Sequence, residues 1–406
     1  HCTSASGLVG PANATFSITL NGGAVKIAVV SAMRGDASPW GGSEELWAAL
    51  VREALACGDE VGVWAYRPVA RSAQAQALAA AGATIHAQPI PHPRLARWSA
   101  RWPLPRWSSL WRFHPSAILL SQGSTFDAGG YYEYEPLLRR VAGGPPLVVV
   151  SHGWHELLYP PDEVVEKTRR LFLAATWVGF VSRRNVEVAE RQLACPLPHA
   201  VVVRNPLGCG TVEPVPWPAV EEARFACATR LDAGVKGLDV LLETLGHEAW
   251  RARAWRLDVF GEGPHRAYLE RLAAFYGLAD RVSLRGHTQD IAEIWRSAQM
   301  LLLPSRSDAA PIALVEALAC GRPGVGVDVG GVSEWVVEGE TGFLAEGATP
   351  RSFGAALERA WRARSSWPML GAAARERTLA ALSGPPPGAA LRELLVEAAR
   401  RGSAHG

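Results

Sequence analysis

The sequence predicts an α/β protein made of two doubly wound, Rossmann-like domains facing one another across a cleft. Short apolar, β-branched runs recur along its 406 residues. Segments with helical periodicity separate most of them, and one proline-rich stretch divides them into two series. Continuous apolar strands alternating with amphipathic helices imply parallel sheets covered on both faces.

In the first series the runs are KIAVVSA from Lys26, EVGVWAY from Glu60, AILLSQG from Ala117, PLVVVSHG from Pro146, VGFVS from Val178 and AVVVRNP from Ala200. Between the first two lies a helical segment, Ser43 to Gly58. The second series comprises RFACATR from Arg224, WRLDVFGEG from Trp255, RVSLRG from Arg281, QMLLLPS from Gln299 and PGVGVDV from Pro323. Pro206 to Pro218 reads as the linker. The expected organisation has four parts. Residues 1–24 form an extension, disordered or foreign to the natural chain; 25–206 form the acceptor-side domain; 207–370 form the donor-binding domain; 371–406 form a helical tail that could cross back to the first domain. Open α/β sheets bind ligands beyond the carboxyl ends of their strands, so two facing sheets enclose one site.

Bulk composition narrows the function. Hydrophobic residues make up 48% of the chain, enough for two cores, and a net charge of +2 implies no broad nucleic-acid footprint. Only Lys26, Lys167 and Lys236 among the 41 basic residues are lysine, an Arg bias that suggests a GC-rich bacterial source. The six cysteines contain no C-x-x-C pair, which reads as reduced thiols in a cytoplasmic protein. No run reaches membrane-spanning length, and residues 1–24 lack the features of a signal peptide. The segment Pro91–Ser116 interleaves arginines with Trp98, Trp102, Trp107 and Trp111. It has two readings: a helical hairpin whose tryptophans pack on the first domain, or an acceptor-binding or membrane-surface element that would place the protein peripherally at the inner membrane face.

The stretch LPSRSDAAPIALVEALACGRP, Leu303 to Pro323, carries the densest chemistry. A buried strand runs into a helix for which Pro311 suits the first position. Free backbone N–H groups around Ala309, Ala310, Ile312 and Ala313 make that helix mouth an anion site. Asp308 precedes it, and Glu316 lies one to two turns in. One reading makes Asp308 a cap and Glu316 half of a buried salt bridge. The other is a ligand with both phosphates and hydroxyls, a nucleotide sugar.

From this stretch through GGVSEWVVEGETGFL the chain resembles glycosyltransferase family 4, the retaining enzymes of the GT-B fold. RLDAGVKG (Arg230–Gly237), FGEGP (Phe260–Pro264), RGH (Arg285–His287), GGSEE (Gly41–Glu45) and SHGWHE (Ser151–Glu156) continue the match, from Lys26 to about Trp361. The resemblance implies that Arg230 and Lys236 hold the donor diphosphate and that Glu316 bonds the ribose hydroxyls. It places Asp308 near the donor sugar and His152 beside that sugar on the acceptor side. Gly42 would let backbone approach the diphosphate, while Gly261, Gly263, Arg285, Gly286 and His287 border the nucleotide base. The family usually has Glu then Gly where this chain has Asp308 then Ala309, and Asp reaches one methylene less far.

What the resemblance implies is transfer of a sugar from a UDP- or GDP-linked donor to a hydroxyl of a saccharide, lipid or small molecule. No metal and no cofactor beyond the co-substrate is expected, and no Asp-x-Asp occupies a plausible metal loop. The alternative is a degenerate homologue that binds nucleotide sugar with little or no turnover. A nicotinamide dehydrogenase would need Gly-x-Gly-x-x-Gly after a strand, which FGEGPH does not supply.

Overall fold

The structure, a computed structural model, describes residues 24–403 except 36–39, 92–106, 142, 154, 208–214 and 289. Two parallel sheets organise it. The first contains β1 (Lys26–Ser31), β2 (Glu60–Tyr66), β3 (Thr84–Gln88), β4 (Ala117–Gln122), β5 (Leu147–Ser151), β6 (Trp177–Phe180) and β7 (Ala200–Val202). The second contains β8 (Ala223–Ala228), β9 (Trp255–Phe260), β10 (Val282–Gly286), β11 (Met300–Leu303), β12 (Gly324–Val327) and β13 (Gly342–Ala345). Their spatial orders are β3-β2-β1-β4-β5-β6-β7 and β10-β9-β8-β11-β12-β13. In each the order reverses beside the first strand, between β1 and β4 and between β8 and β11. Such reversals splay the connecting loops apart and open a crevice at the strands' carboxyl ends.

The strands form because their apolar residues are covered on both faces. Every residue of β4 and β5 is buried, and so is every residue of β11 and β12. Helices that bear on the site are labelled in chain order. They are α1 (Gly42–Ala56), α2 (Ser108–Phe113), α3 (Arg183–Leu193), α4 (Ala233–Lys236), α5 (Ile312–Ala319), α6 (Val332–Trp335), α7 (Trp367–Ala381) and α8 (Pro387–Ser403).

The linker is fastened by a buried arginine. Arg322, just past α5, donates to the carbonyls of Trp295 (2.9 Å) and Ala298 (2.8 Å) and to linker carbonyls Val215 (3.2 Å) and Pro216 (2.6 Å). Its guanidinium also lies 5.1 Å from the Trp217 ring. The Gly-Arg-Pro stop after α5 thus ties the linker to the second domain.

The chain's end divides differently from the expected boundary at 370. Trp367 and Ala374 of α7 sit in the second domain's cores, so the boundary would cut a helix. Leu391, Leu395 and Ala398 of α8 belong to the first domain's core with α1. The crossing lies between Ala381 and Pro387. Arg392 of α8 secures the return through two bonds to buried Asp59, at 2.6 and 3.2 Å.

The 1–24 extension lies outside the described residues apart from Ala24, as does most of the Trp- and Arg-rich segment. Its described end packs inward. Trp107 is buried in the first domain's core and donates its indole N–H to the Glu133 carbonyl at 3.0 Å, while α2 leaves Arg112 exposed. Among the described residues no helix is long and apolar enough to cross a membrane.

Candidate functional site

Lys236 and Asp308 meet at the second sheet's order reversal because two loops are stitched together there. Lys236 ends α4, in the connection leaving β8, and Asp308 lies between β11 and α5. Arg306 fixes one loop to the other, donating to both Asp239 oxygens (2.6 and 2.7 Å) and to the Ala233 carbonyl (2.7 Å). Gly237 completes the fit: at φ +63°, a Cβ there would come within 2.0 Å of the Pro304 carbonyl oxygen. The outcome is an ion pair with Lys236 Nζ 2.7 Å from Asp308 Oδ2. Gly330 supports it from below, since a Cβ at its φ of +51° would lie 1.7 Å from the Asp308 carbonyl oxygen.

The helix mouth carries no side-chain cap. Pro311 is the N-cap rather than the first helical residue, with Ile312 beginning α5. Asp308 pairs with Lys236 instead of with helix N–H groups, so the expected alternative of a helix cap does not describe it. The Leu314 N–H turns back to the Pro311 carbonyl at 3.0 Å, which leaves the Ile312 and Ala313 N–H groups without an intrahelical acceptor. Glu316 is buried one turn further in.

The first domain brings its own helix start to the same place. A Cβ on Gly42, the first residue of α1, would touch Ile312 Cδ1 at 3.3 Å and Asn205 Nδ2 at 3.5 Å. His152, immediately after β5, is buried there, with Nε2 3.2 Å from Asn205 Oδ1 and Nδ1 3.4 Å from the Gln122 carbonyl. Burial pushes its pKa down to about 4, against smaller opposing effects from Gln122, Asn205 and Gly42. The ring is therefore neutral at pH 7.

That shift has a consequence for stability. A folded pKa of about 4 lies below the ordinary 6.5, so between these values the unfolded chain binds the extra proton. The stabilisation from neutral His152 is complete above pH 6.5 and disappears as pH falls toward 4. Its size is on the order of 3 kcal/mol. Denaturant unfolding at pH 4.5 and 7.5 is expected to show a smaller pH difference in His152→Gln than in the wild type. Equal differences would contradict a buried neutral ring.

Two carboxylates that sequence reasoning left without a role bind the domains together. Glu156 Oε1 accepts from the Gly330 N–H at 3.0 Å, and Arg184 donates to its other oxygen at 2.9 Å. Burial alone would raise its pKa, but the Arg184 and Gly330 bonds hold it below the usual range. Glu334 of α6 accepts from the N–H groups of Arg183 (2.6 Å) and Arg184 (3.3 Å), capping α3 from the opposite domain. The Gly-Gly pair after β12 was the available signal, since close approach of this kind needs glycine: a Cβ on Gly331 would lie 3.0 Å from Ser182 Cβ.

The other expected residues are spread more widely. Arg230 is turned onto Asp232. Gly261, at φ +136°, and Gly263 serve close loop packing, since Cβ atoms there would lie 1.9 Å from the Thr229 carbonyl oxygen and 2.5 Å from that of Leu231. Gly286 accepts from the Gly261 N–H at 2.8 Å, extending the same loop cluster. Arg285 pairs with Asp258 at 2.7 Å and, like His287, is exposed. Ala309 and Ala310 pack against the first domain's core. Among the described residues no group of three or more His, Cys, Asp or Glu is arranged to hold a metal ion.

Known proteins resemble this arrangement in part and in whole. Residues 222–363 match the family described as glycosyl transferases group 1. The chain is 34% identical over 91 residues to N-acetyl-alpha-D-glucosaminyl L-malate synthase of Bacillus anthracis, covering 22% of this chain and 24% of that protein. It is 30% identical over 129 residues to alpha-D-kanosaminyltransferase of Streptomyces kanamyceticus, covering 31% and 33%. The matches thus span a third or less of these two relatives. Among solved structures, a glycosyltransferase from Rickettsia africae superposes with a TM-score of 0.71 at 13% identity, over 95% of this chain and 100% of that one. HepE of Anabaena in complex with UDP gives 0.65 at 16% identity, over 87% and 94%. The fold is the two-domain GT-B fold.

Proposed function

We propose that this chain is a retaining glycosyltransferase of family 4, moving a sugar from a UDP- or GDP-linked donor to a hydroxyl acceptor without a metal ion or further cofactor. The observation that carries the reading is the Lys236–Asp308 pair at the uncapped mouth of α5, opposite neutral His152. The group 1 match over residues 222–363 supports it, as do the transferase names of the relatives. HepE, a solved neighbour of the same fold, was crystallised with UDP-glucose.

In this reading the diphosphate lies between Lys236 and the α5 N–H groups. Fixed cations and helix dipoles stabilise the charge that grows on the leaving phosphate as the glycosidic bond breaks. Arg230 leaves Asp232 to join them. Glu316 accepts from the ribose hydroxyls, and Asp308 and His152 bracket the sugar. The acceptor hydroxyl attacks from the face the nucleotide leaves, giving its proton to the departing phosphate. A neutral His152 suits a hydrogen bond to a sugar hydroxyl without adding charge. A lipid acceptor would bring the Pro91–Ser116 segment to the cytoplasmic membrane surface.

The test is turnover with mixed UDP- and GDP-sugars in EDTA, with thermal-shift ranking of the free nucleotides identifying the donor first. Activity that survives EDTA is expected. Loss in EDTA with rescue by Mn²⁺ or Mg²⁺ would refute metal independence, and donor binding without turnover would leave the degenerate alternative.

A further inference from the structure

The first sheet has its own order reversal, between β1 and β4, and an incompletely paired arginine sits there. Arg34 lies three residues beyond the end of β1, and Tyr66 ends the neighbouring β2. Arg34 Nη2 donates to Glu133 Oε1 at 2.9 Å, and the Tyr66 hydroxyl donates to the same oxygen at 2.7 Å. The guanidinium carbon rests 4.0 Å from the centroid of the Tyr131 ring. Further contacts fix the frame: Trp107 holds the Glu133 carbonyl, and the Tyr134 hydroxyl donates to the Ser31 carbonyl at 3.0 Å.

This pair is one bond short. Arginine and carboxylate commonly close two parallel hydrogen bonds. Here Arg34 Nε and Glu133 Oε2 are both buried with no hydrogen-bond partner among the described residues. Burying a polar atom without a partner is unfavourable. One is a donor and the other an acceptor, and they belong to paired side chains. A single hydroxyl group, which both donates and accepts, could satisfy the two together. An anion cannot donate to Glu133, and a cation would face Arg34. The Arg34 side chain keeps 28% of its surface exposed, so its guanidinium is reached from solvent.

We infer that Arg34 and Glu133 form an acceptor subsite for an uncharged saccharide, taking a hydroxyl one sugar unit away from the one that reacts. This rests on the glycosyltransferase reading. The strand order puts β1 two places from β5, which carries His152, or roughly 10 Å along the same sheet edge. An acceptor with one ring beside His152 would extend along that edge toward Arg34. Asp127 does not compete for the hydroxyl, since it accepts from the Gly123 and Ser124 N–H groups and the Ser124 hydroxyl.

Saturation-transfer NMR with maltose and cellobiose tests the subsite without any donor. The wild type is expected to transfer saturation to these disaccharides and less to glucose 6-phosphate. Arg34→Gln should bind the disaccharides at least tenfold more weakly, with its UDP and GDP thermal shifts unchanged. Should Arg34→Gln not fold, Arg34→Lys decides, because it keeps the charge but lacks Nε, and the same loss is expected. Disaccharide binding that is absent from the wild type, equal in the variants, or weaker than that of glucose 6-phosphate would overturn the inference. Disaccharide binding without any nucleotide shift would instead overturn the donor reading and leave a saccharide site.

Discussion

Lys236→Ala is expected to lower turnover by about 10²-fold or more, the loss typical of removing a preorganised charge-stabilising group. The lysine is held where it is by its neighbours. It ends α4, Gly237 turns the chain immediately after it, and Arg306 locks the loop of Asp308 against the same segment. On the proposed donor placement its removal acts twice: the diphosphate would lose a cation, and Asp308 loses the partner 2.7 Å away. Arg230→Ala should cost less, because Arg230 is 40% exposed and already engaged with Asp232. Steady-state kcat/KM at saturating acceptor measures both. Unchanged turnover in Lys236→Ala would remove the assigned phosphate grip.

Much of the fold was legible because buried parallel strands write themselves as continuous apolar runs. The strands that escaped notice explain the limit. Thr84–Gln88 (β3) and Gly342–Ala345 (β13) are sheet-edge strands with one neighbour each. TIHAQ is only half-buried, and GFLA is four residues long, so neither forms an apolar run that stands out. The linker was visible through its prolines, but the end of the second domain was not. The helical pattern continues from α7 into α8, and only packing separates them.

The site divides along the same line. Lys236 ends α4, His152 follows β5, and Asp308 and Glu316 lie before and within α5; the family resemblance pointed to all four. Glu156 and Glu334 act across the domain boundary, on Gly330 and on α3, and nothing local signals which backbone a carboxylate will meet after docking. Arg34 and Glu133 lie 99 residues apart and are joined only by the sheet's strand order. The pairing of Lys236 with Asp308 was also hidden, so a cation and a carboxylate read as separate contacts prove to be one unit.

That unit makes the placement of the donor testable by titration calorimetry of the free nucleoside diphosphate, UDP or GDP, into wild type, Glu316→Gln and Asp308→Asn. If the donor lies across the mouth of α5, Glu316→Gln loses a charge-assisted bond to the ribose, worth about 1.5–3 kcal/mol, or roughly a ten- to hundredfold weaker Kd. Asp308→Asn removes only the sugar's partner and releases Lys236 from its counter-charge. Nucleotide binding should then be unchanged or tighter while turnover falls. Equal weakening in both variants, or full-strength binding in Glu316→Gln, would contradict a donor lying across that helix.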